Sequence, residues 1–294
     1  MDRIDFKNTD IENINKLRYD YIDEIAVHVQ DYIEEGITTY NGKCVLISDG
    51  EKEIGYVCIG TYDYYKDIIL EYYVMPEYRH FSAAIVNSIK NNFNCAGWFV
   101  NTQDKISLPV MMELNLNYVI NGYIFSYNKS NKKEVFENSR MIFSLSRIEE
   151  IDHIYNIITQ DNFYTGGNKD TVIERIKEKV FFSFYYNDEL VGVGFKDILR
   201  RTPTFADIGM VIDSKFRKKG FGTLILKYLI KECLDSQIIP TACCEKNNFI
   251  SRKALENVGF YIDGCLLLAD FNQYSMIKKL SIKKLNSSTH IAKE

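Results

Sequence analysis

The run of basic and small residues from 217 to 223 is the part of the sequence best suited to chemistry. It reads Arg-Lys-Lys-Gly-Phe-Gly-Thr and stands between a predicted strand and a predicted helix. Gly220 and Gly222 can take backbone angles that other residues avoid, and they let a ligand approach the main chain. The unbonded N–H groups of a first helical turn and the helix dipole favour negative charge there. The pattern therefore predicts an anion cradle, with a pyrophosphate as the natural guest.

Two other phosphate-binding patterns do not fit this segment. A P-loop would need GxxxxGK[ST], which is absent from the sequence. A dinucleotide fingerprint would need a third glycine, and Ile225 stands in that position. The motif alone leaves one alternative open, a tight strand–helix turn with solvated basic residues.

The elements that must position this run occur twice along the chain. Each half reads as helical segments, three strands, a helix, a strand, a helix and a strand. Arg79 and Arg217 follow the third strand of their halves, 138 residues apart, and Gly55 and Gly192 lie in the preceding strands, 137 apart. The near-equal offsets predict a duplicated domain. Predicted helices include Ile11–Ile33, Ser82–Asn91, Thr223–Leu234 and Phe249–Val258, and predicted strands include Gly97–Asn101, Phe205–Ile212, Ile238–Cys243 and Phe260–Leu268.

Length and composition fit two globular domains. The chain has 294 residues, of which 46% are hydrophobic and 26% charged, and a domain averages roughly 150 residues. The polar stretch 128–140 has no periodicity and is the predicted boundary. The predicted division is a first domain at 1–130, a linker at 131–140, a second domain at 141–280 and a C-terminal tail at 281–294.

The net charge and the cysteine spacing limit which binding partners and which cellular compartment are expected. A net charge of −4 argues against a general nucleic-acid binder, and no apolar run approaches the ~20 residues of a membrane span. The seven cysteines show no disulfide spacing, and the polar start carries no secretory signal. We therefore expect reduced thiols in a cytoplasmic protein. No metal site is predicted, and Cys243-Cys244 is interpreted as core or pocket lining.

Two motifs together resemble one superfamily. Arg217-x-x-Gly220-x-Gly222 resembles the Q/R-x-x-G-x-G/A signature of the GNAT N-acetyltransferases. Asn248-x-x-Ser251, followed by a helix ending in Gly259-Phe260, resembles their second motif. The resemblance covers about residues 141–270. It implies an α/β (mixed α+β) fold of two tandem GNAT-like domains, each a twisted, mixed, mostly antiparallel sheet flanked by helices.

The resemblance also implies acetyl-coenzyme A as the acetyl donor. Strands Phe205–Ile212 and Ile238–Cys243 would splay apart and hold the pantetheine arm between them. N–H groups from 218 to 223 would hold the pyrophosphate. The implied donor-binding residues are Met210, Val211, Ile212, Arg217, Lys218, Lys219, Gly220, Phe221, Gly222, Thr223, Asn248 and Ser251.

Acetyl transfer to an amine requires removal of the amine's proton. Asp207 is the predicted base because it lies on the strand that would carry the donor; the alternative is an ordinary strand-edge aspartate. In the family that the sequence resembles, a Tyr often donates a proton to the leaving thiolate, and this chain has Leu255 at that position. Ser251, Tyr261 or a water would then protonate the leaving thiolate.

The first half departs from the family pattern. Ser82 and Ala84 occupy the two glycine positions, so this half is predicted to bind coenzyme A poorly and to brace the second half. The predicted function is acetylation of an amine of a small molecule by the C-terminal half. Acetylation of a protein amine is one alternative. A non-catalytic coenzyme A sensor or scaffold, which Leu255 favours, is the other.

Overall fold

The computed structural model describes residues 4–25, 31–62, 65–129, 140–160 and 168–271. The elements in chain order are β1 (Ile4–Thr9), α1 (Ile11–Ile25), α2 (Asp31–Thr38), β2 (Lys43–Asp49), β3 (Lys52–Ile59), β4 (Ile68–Val74), α3 (Ser82–Phe93), β5 (Gly97–Asn101), α4 (Ser107–Glu113), β6 (Asn117–Tyr127), β7 (Met141–Leu145), α5 (Ile151–Thr159), α6 (Lys169–Lys177), β8 (Phe181–Tyr186), β9 (Glu189–Ile198), β10 (Phe205–Ile212), α7 (Phe221–Asp235), β11 (Ile239–Glu245), α8 (Phe249–Asn257) and β12 (Phe260–Asp270).

The chain forms two compact units. The first contains the described residues up to Tyr123 and those from Gly264 onward, and the second runs from Ile124 to Asp263. The first unit is thus discontinuous in sequence. Apart from Arg140, the predicted linker at 131–140 lies outside the described residues, as does the whole predicted tail at 281–294, so the linear division stays a prediction.

The first unit is a mixed sheet with the strand order β1-β2-β3-β4-β5-β12. Its pairs are antiparallel except for β4 with β5, which run parallel through Ile68–Gly97 and Ile69–Trp98. All seven residues of β4 are buried. A strand covered on both faces is typically a continuous apolar run, so Glu71 in its middle requires compensating partners.

The second unit is a mixed sheet with the order β6-β11-β10-β9-β8-β7. Helix α7 buries one stripe against it: Phe221, Ile225, Leu226, Leu229, Ile230 and Cys233. Gly194 on β9 makes this approach possible, because an added Cβ there would lie 3.0 Å from Leu229 Cδ1 and 3.1 Å from Ile225 Cγ2. The missing side chain therefore fixes how close α7, and with it the start of that helix, lies to the sheet.

Most predicted elements are confirmed; two predicted helices need corrected bounds, and one strand was not predicted. Strands Gly97–Asn101 and Phe205–Ile212 have the predicted bounds. The helix expected over Ile11–Ile33 is instead α1, which ends at Ile25, and α2, which begins at Asp31, with 26–30 outside the described residues. Strand β1 was not predicted, and α7 begins at Phe221 rather than Thr223.

A buried ion cluster joins three elements of the first unit. Arg18 Nε of α1 lies 2.8 Å from Glu71 Oε1 of β4, and Arg18 Nη2 lies 2.7 Å from Glu34 Oε2 of α2. Tyr56 on β3 donates its hydroxyl to the same Glu71 oxygen at 2.7 Å. Burial alone would lower the pKa of Arg18, but the Glu71 carboxylate raises it above its usual value. Arg18 therefore stays charged inside the core and holds the two helices on the sheet.

Replacing Arg18 with methionine should lower the free energy of unfolding by about 3–5 kcal/mol, because it leaves two carboxylates buried without their cation. Denaturant unfolding of the full chain measures the change. The control is Lys52→Met, which removes the ion pair between Lys52 and Glu77. Their side chains are 53% and 56% exposed, and exposed ion pairs contribute little to the free energy of unfolding. Equal effects of the two substitutions would contradict the stabilising role of the buried cluster.

Candidate active site

The opening in the second unit lies where β10 and β11 separate. The two strands run parallel from Phe205–Ile239 to Asp207–Thr241, where the described ladder ends. β10 nevertheless continues to Ile212 and β11 to Glu245. The splay expected for these strands is therefore present. Beyond Asp207, this edge of β10 can accept an extended ligand as an added strand.

A left-handed turn leads from β10 to α7. Asp213 accepts a hydrogen bond from the Lys215 backbone N–H at 3.0 Å and starts a short 3-10 turn. Lys218 and Gly220 then have φ angles of 60° and 84°. Helix α7 follows at once, with no side-chain cap on Gly220. Backbone N–H groups in such alternating turns form concave anion sites, and the helix N-terminus adds its positive dipole end.

The two glycines of the motif have different roles. Gly220 is required for its positive φ, and an added Cβ there would meet nothing within 4 Å. At Gly222 an added Cβ would lie 3.0 Å from Met210 Cε, so this glycine brings the first turn of α7 against β10. The sequence-based expectation that both glycines take unusual angles is thus wrong for Gly222. Gly220 shapes the cradle, and Gly222 places it beside the splayed strand.

Basic side chains surround the turn. Arg217 is exposed, and its Nε donates to the carbonyl of Ile212 at 3.1 Å, which fastens the turn to the end of β10. Lys215 and Lys219 place their Nζ atoms 5.0 and 5.2 Å from the Phe216 ring centroid. A cation over an aromatic face is modestly stabilised. Positive charge is therefore held near the start of α7 by contacts within the turn itself.

Asp207 lies at the mouth of the splay. It is the last residue of β10 paired with β11, and its partner in the β9 ladder is Asp197. Like charges directly opposite each other destabilise a sheet, but Arg175 forms an ion pair with the Asp197 carboxylate. This cation offsets the repulsion between the two aspartates across the ladder.

Cys243, which the sequence analysis interpreted only as core or pocket lining, lies close enough to Asp207 to be influenced by its charge. Burial raises the pKa of its thiol well above the usual value, and the Asp207 charge raises it further. Cys243 therefore stays neutral beside the carboxylate. Its position two residues beyond Thr241 on the splayed strand was the available signal. Among the described residues, no group of three or more potential ligands could hold a metal ion.

The second motif forms the start of α8. Asn248 Oδ1 accepts a hydrogen bond from the Ser251 backbone N–H at 3.0 Å and thereby caps the helix. Leu255, which occupies the position where the resemblance implies a tyrosine, is buried at 3% exposure, whereas Tyr261 on β12 is 48% exposed. The hydrogen bond from the Ser251 N–H to Asn248 thus brings these two motif residues together at the start of α8.

The same backbone arrangement occurs in the first unit. Gly55 lies opposite Val74, and Gly192 lies opposite Ile212. Arg79 Nε donates to the Val74 carbonyl at 3.1 Å, which matches the distance from Arg217 Nε to the Ile212 carbonyl. These equivalent contacts support the duplication predicted from the residue offsets.

The loops that follow these two arginines differ. None of the described residues from 76 to 84 has a positive φ, and the chain passes from a 3-10 turn directly into α3. Ser82, at the position of Gly220, is 1% exposed. The guanidinium of Arg79 forms an ion pair with Glu24 of α1. The first unit therefore has the strands but not the left-handed cradle.

Family models match both halves of the chain. An acetyltransferase (GNAT) domain matches residues 10–128, and the acetyltransferase (GNAT) family matches residues 148–260. The chain belongs to the GNAT acetyltransferases and carries two GNAT domains in tandem. It is an acyltransferase of the class that uses acetyl-coenzyme A as its acetyl donor. The superfamily, the mixed α/β fold and the enzyme class predicted from the motifs are thus confirmed.

Solved structures share this fold. An acetyltransferase of the GNAT family from Colwellia psychrerythraea aligns with TM-score 0.80 and 18% identity, covering 91% of this chain and 100% of that one. A GCN5-related N-acetyltransferase from Sphaerobacter thermophilus aligns with TM-score 0.64 and 11% identity, covering 92% and 96%. A tandem GNAT protein from the clavulanic acid biosynthesis pathway aligns with TM-score 0.63 and 10% identity, covering 91% and 98%. At these identities the likeness concerns the fold alone.

The sequence has no significant match to a curated protein. Within the residues that the structure describes, no helix is both long and apolar enough to cross a membrane.

Replacing Asn248 with alanine should lower the free energy of unfolding by about 1 kcal/mol, because the first turn of α8 loses its cap. Asn248→Asp keeps an acceptor oxygen and should restore most of the loss. The neighbouring Asn247→Ala, which alters an exposed side chain, is the matched control in denaturant unfolding. A loss that is the same for all three variants would show that the cap contact is not the cause.

Proposed function

We propose that the second unit binds acetyl-coenzyme A and transfers the acetyl group to an amine of a small molecule. The observation that carries the proposal is the left-handed pair Lys218 and Gly220 at the uncapped start of α7. This cradle follows directly after a strand whose partner β11 diverges from Asp207 onward. A pyrophosphate site and a slot for an extended arm therefore adjoin.

The donor-binding residues divide into two groups. N–H groups of Lys218, Gly220 and the first turn of α7 would bind the pyrophosphate, with Arg217 and Lys219 adding positive charge. The backbone from Met210 to Ile212 would pair with the pantetheine arm. The space beside Gly220, where an added Cβ would meet nothing, supports the fit. Phe221, Gly222 and Thr223 supply the helical turn, while Val211 belongs to the strand and Asn248 and Ser251 to the cap of α8.

The chemistry needs one proton acceptor at the mouth of the splay, and we assign this role to Asp207. Its carboxylate first takes the proton of the amine, and the lone pair freed on the nitrogen then attacks the acetyl carbon. The carbon–sulfur bond breaks, and its electron pair leaves with the sulfur. Ser251, Tyr261 or a water then supplies the proton that the sulfur takes up.

The first unit is proposed to brace the second rather than bind the donor. Its equivalent loop has no left-handed residue among those described, and Ser82 fills the Gly220 position. Arg79 is committed to Glu24. One donor site per chain is therefore expected.

Gly220→Val should weaken acetyl-coenzyme A binding roughly 10–100-fold, the loss expected when one or two charge-assisted hydrogen bonds are removed. The reason is that a β-branched residue strongly disfavours positive φ. Isothermal titration should give one site per wild-type chain. Gly50→Val is the matched control, because Gly50 also has positive φ, at 61°, and open space around an added Cβ. Unchanged affinity in Gly220→Val, or two sites per chain, would contradict the assignment.

Asp207→Asn should lower the rate of acetyl transfer about 10²–10⁴-fold, because the amide cannot take the proton. Affinity for acetyl-coenzyme A should stay within about twofold, since the donor is held by backbone groups elsewhere. Thiol release with a panel of small amines measures turnover, and Asp188→Asn in the exposed turn after β8 is the control. Full activity of Asp207→Asn would remove it from the mechanism. Donor binding without turnover on any amine would favour the sensor or scaffold.

A further inference from the structure

A pair of cysteines lies inside the first unit, away from the residues assigned to acetyl transfer. Cys44 on β2 and Cys58 on β3 are directly opposite each other in the antiparallel ladder. Their sulfur atoms are 3.7 Å apart. The side chains are 5% and 0% exposed. The two thiols therefore face each other in a dry environment within one hairpin.

The backbone separation suits a covalent bond between these sulfurs. Opposed residues of antiparallel strands have Cα atoms about 4.5–5.5 Å apart, and disulfides span about 4.4–6.8 Å between Cα atoms. The sulfurs, 3.7 Å apart, must approach to about 2.05 Å. Side-chain rotation and a slight pinching of the strands would close this gap.

The surroundings make the two thiols unequal. The contact with the Cys58 thiol holds the pKa of Cys44 below its usual value, against the opposing effect of burial. The Arg18 guanidinium also lowers this pKa, while Glu71 and Glu12 raise it. Burial raises the pKa of Cys58. A thiolate is the attacking form of cysteine. Cys44 is therefore the nucleophile of the pair and Cys58 the partner.

We propose that Cys44 and Cys58 are a modification site that a hydroperoxide converts to a cross-strand disulfide and that a dithiol restores. The Cys44 thiolate attacks the terminal oxygen of the hydroperoxide, so that a sulfur–oxygen bond forms as the O–O bond breaks and Cys44 becomes a sulfenic acid. The released alkoxide, or hydroxide from hydrogen peroxide, takes a proton from water. The Cys58 sulfur then attacks the Cys44 sulfur. The sulfenic hydroxyl leaves and takes up the Cys58 proton as water. The disulfide covalently joins β2 to β3, and thiol–disulfide exchange reverses it.

The test is peptide mapping of the full chain after hydrogen peroxide treatment, with alkylation of the remaining thiols under denaturing conditions. Tryptic cleavage after Lys43, Lys52 and Lys66 places the two cysteines in different peptides. The expected result is a linked pair of these peptides that has lost two hydrogen atoms and separates after dithiothreitol. In Cys58→Ser, a 1,3-dione probe should label Cys44 as a trapped sulfenic acid. In Cys44→Ser, Cys58 should stay a thiol.

The matched control is Cys95→Ser, which alters another buried cysteine of the first unit, where burial raises the thiol pKa to about 12. This variant should form the same linked peptides as the wild type. The proposal is overturned if both thiols survive a peroxide dose that oxidises the partly exposed Cys265, or if Cys95 is oxidised as readily as Cys44. The wild-type map decides the question even where a serine variant does not fold.

Discussion

The second unit depends on the point at which the parallel ladder between β10 and β11 ends. β10 is held on its other side by a ladder with β9 from Ala206 to Ile212. β11 is fixed towards β6, because the Thr241 hydroxyl donates to the Phe125 carbonyl at 2.9 Å. Each strand is therefore anchored to a different neighbour just where the two part. The opening between them is a consequence of sheet pairing and does not need a ligand to hold it open.

The two units show that this strand framework and the left-handed turn that follows it are separable. Both keep a glycine opposite the end of the third strand of the half, and both tie an arginine Nε to the carbonyl at that end. Only the second has left-handed residues in the turn that follows. In the first, the guanidinium pairs with a helix carboxylate and the serine at the glycine position is buried. The same arginine thus supports packing in one copy and stands at the left-handed turn before α7 in the other.

Long, strongly patterned elements could be predicted from the sequence, and local exceptions could not. Strand β10 has its predicted bounds because apolar residues run through it between clear breaks. Strand β1 was missed because it is short and holds only two apolar residues, Ile4 and Phe6, while the other four residues of IDFKNT are polar and none of the six is fully buried. The low helix propensity of Gly-Phe-Gly led to a predicted start of α7 at Thr223. The helix begins two residues earlier because Phe221 is buried, and this packing overrides the low propensity.

Side-chain relations across strands were also beyond the sequence. The cradle residues are contiguous, so their spacing alone predicts a common location. Cys243 and Asp207 belong to different strands, and Arg18, Glu34 and Glu71 to three elements. Their proximity follows from register and helix docking, which a single sequence does not specify. That Arg18, Glu34 and Glu71 are buried together can be recognised only once β4 is known to be covered on both faces.

Leu255 changes what the site must supply to the leaving group. The ordinary pKa of a cysteine thiol is about 8.5, so a thiolate can exist in water near neutral pH without a proton donor beside it. Proton transfer can follow breakage of the carbon–sulfur bond, with water as the donor. Removal of the amine proton has no such substitute, because the ammonium form has no lone pair for attack. In the proposed mechanism the energetic demand of the reaction accordingly lies at Asp207, and a leucine in α8 is compatible with that mechanism.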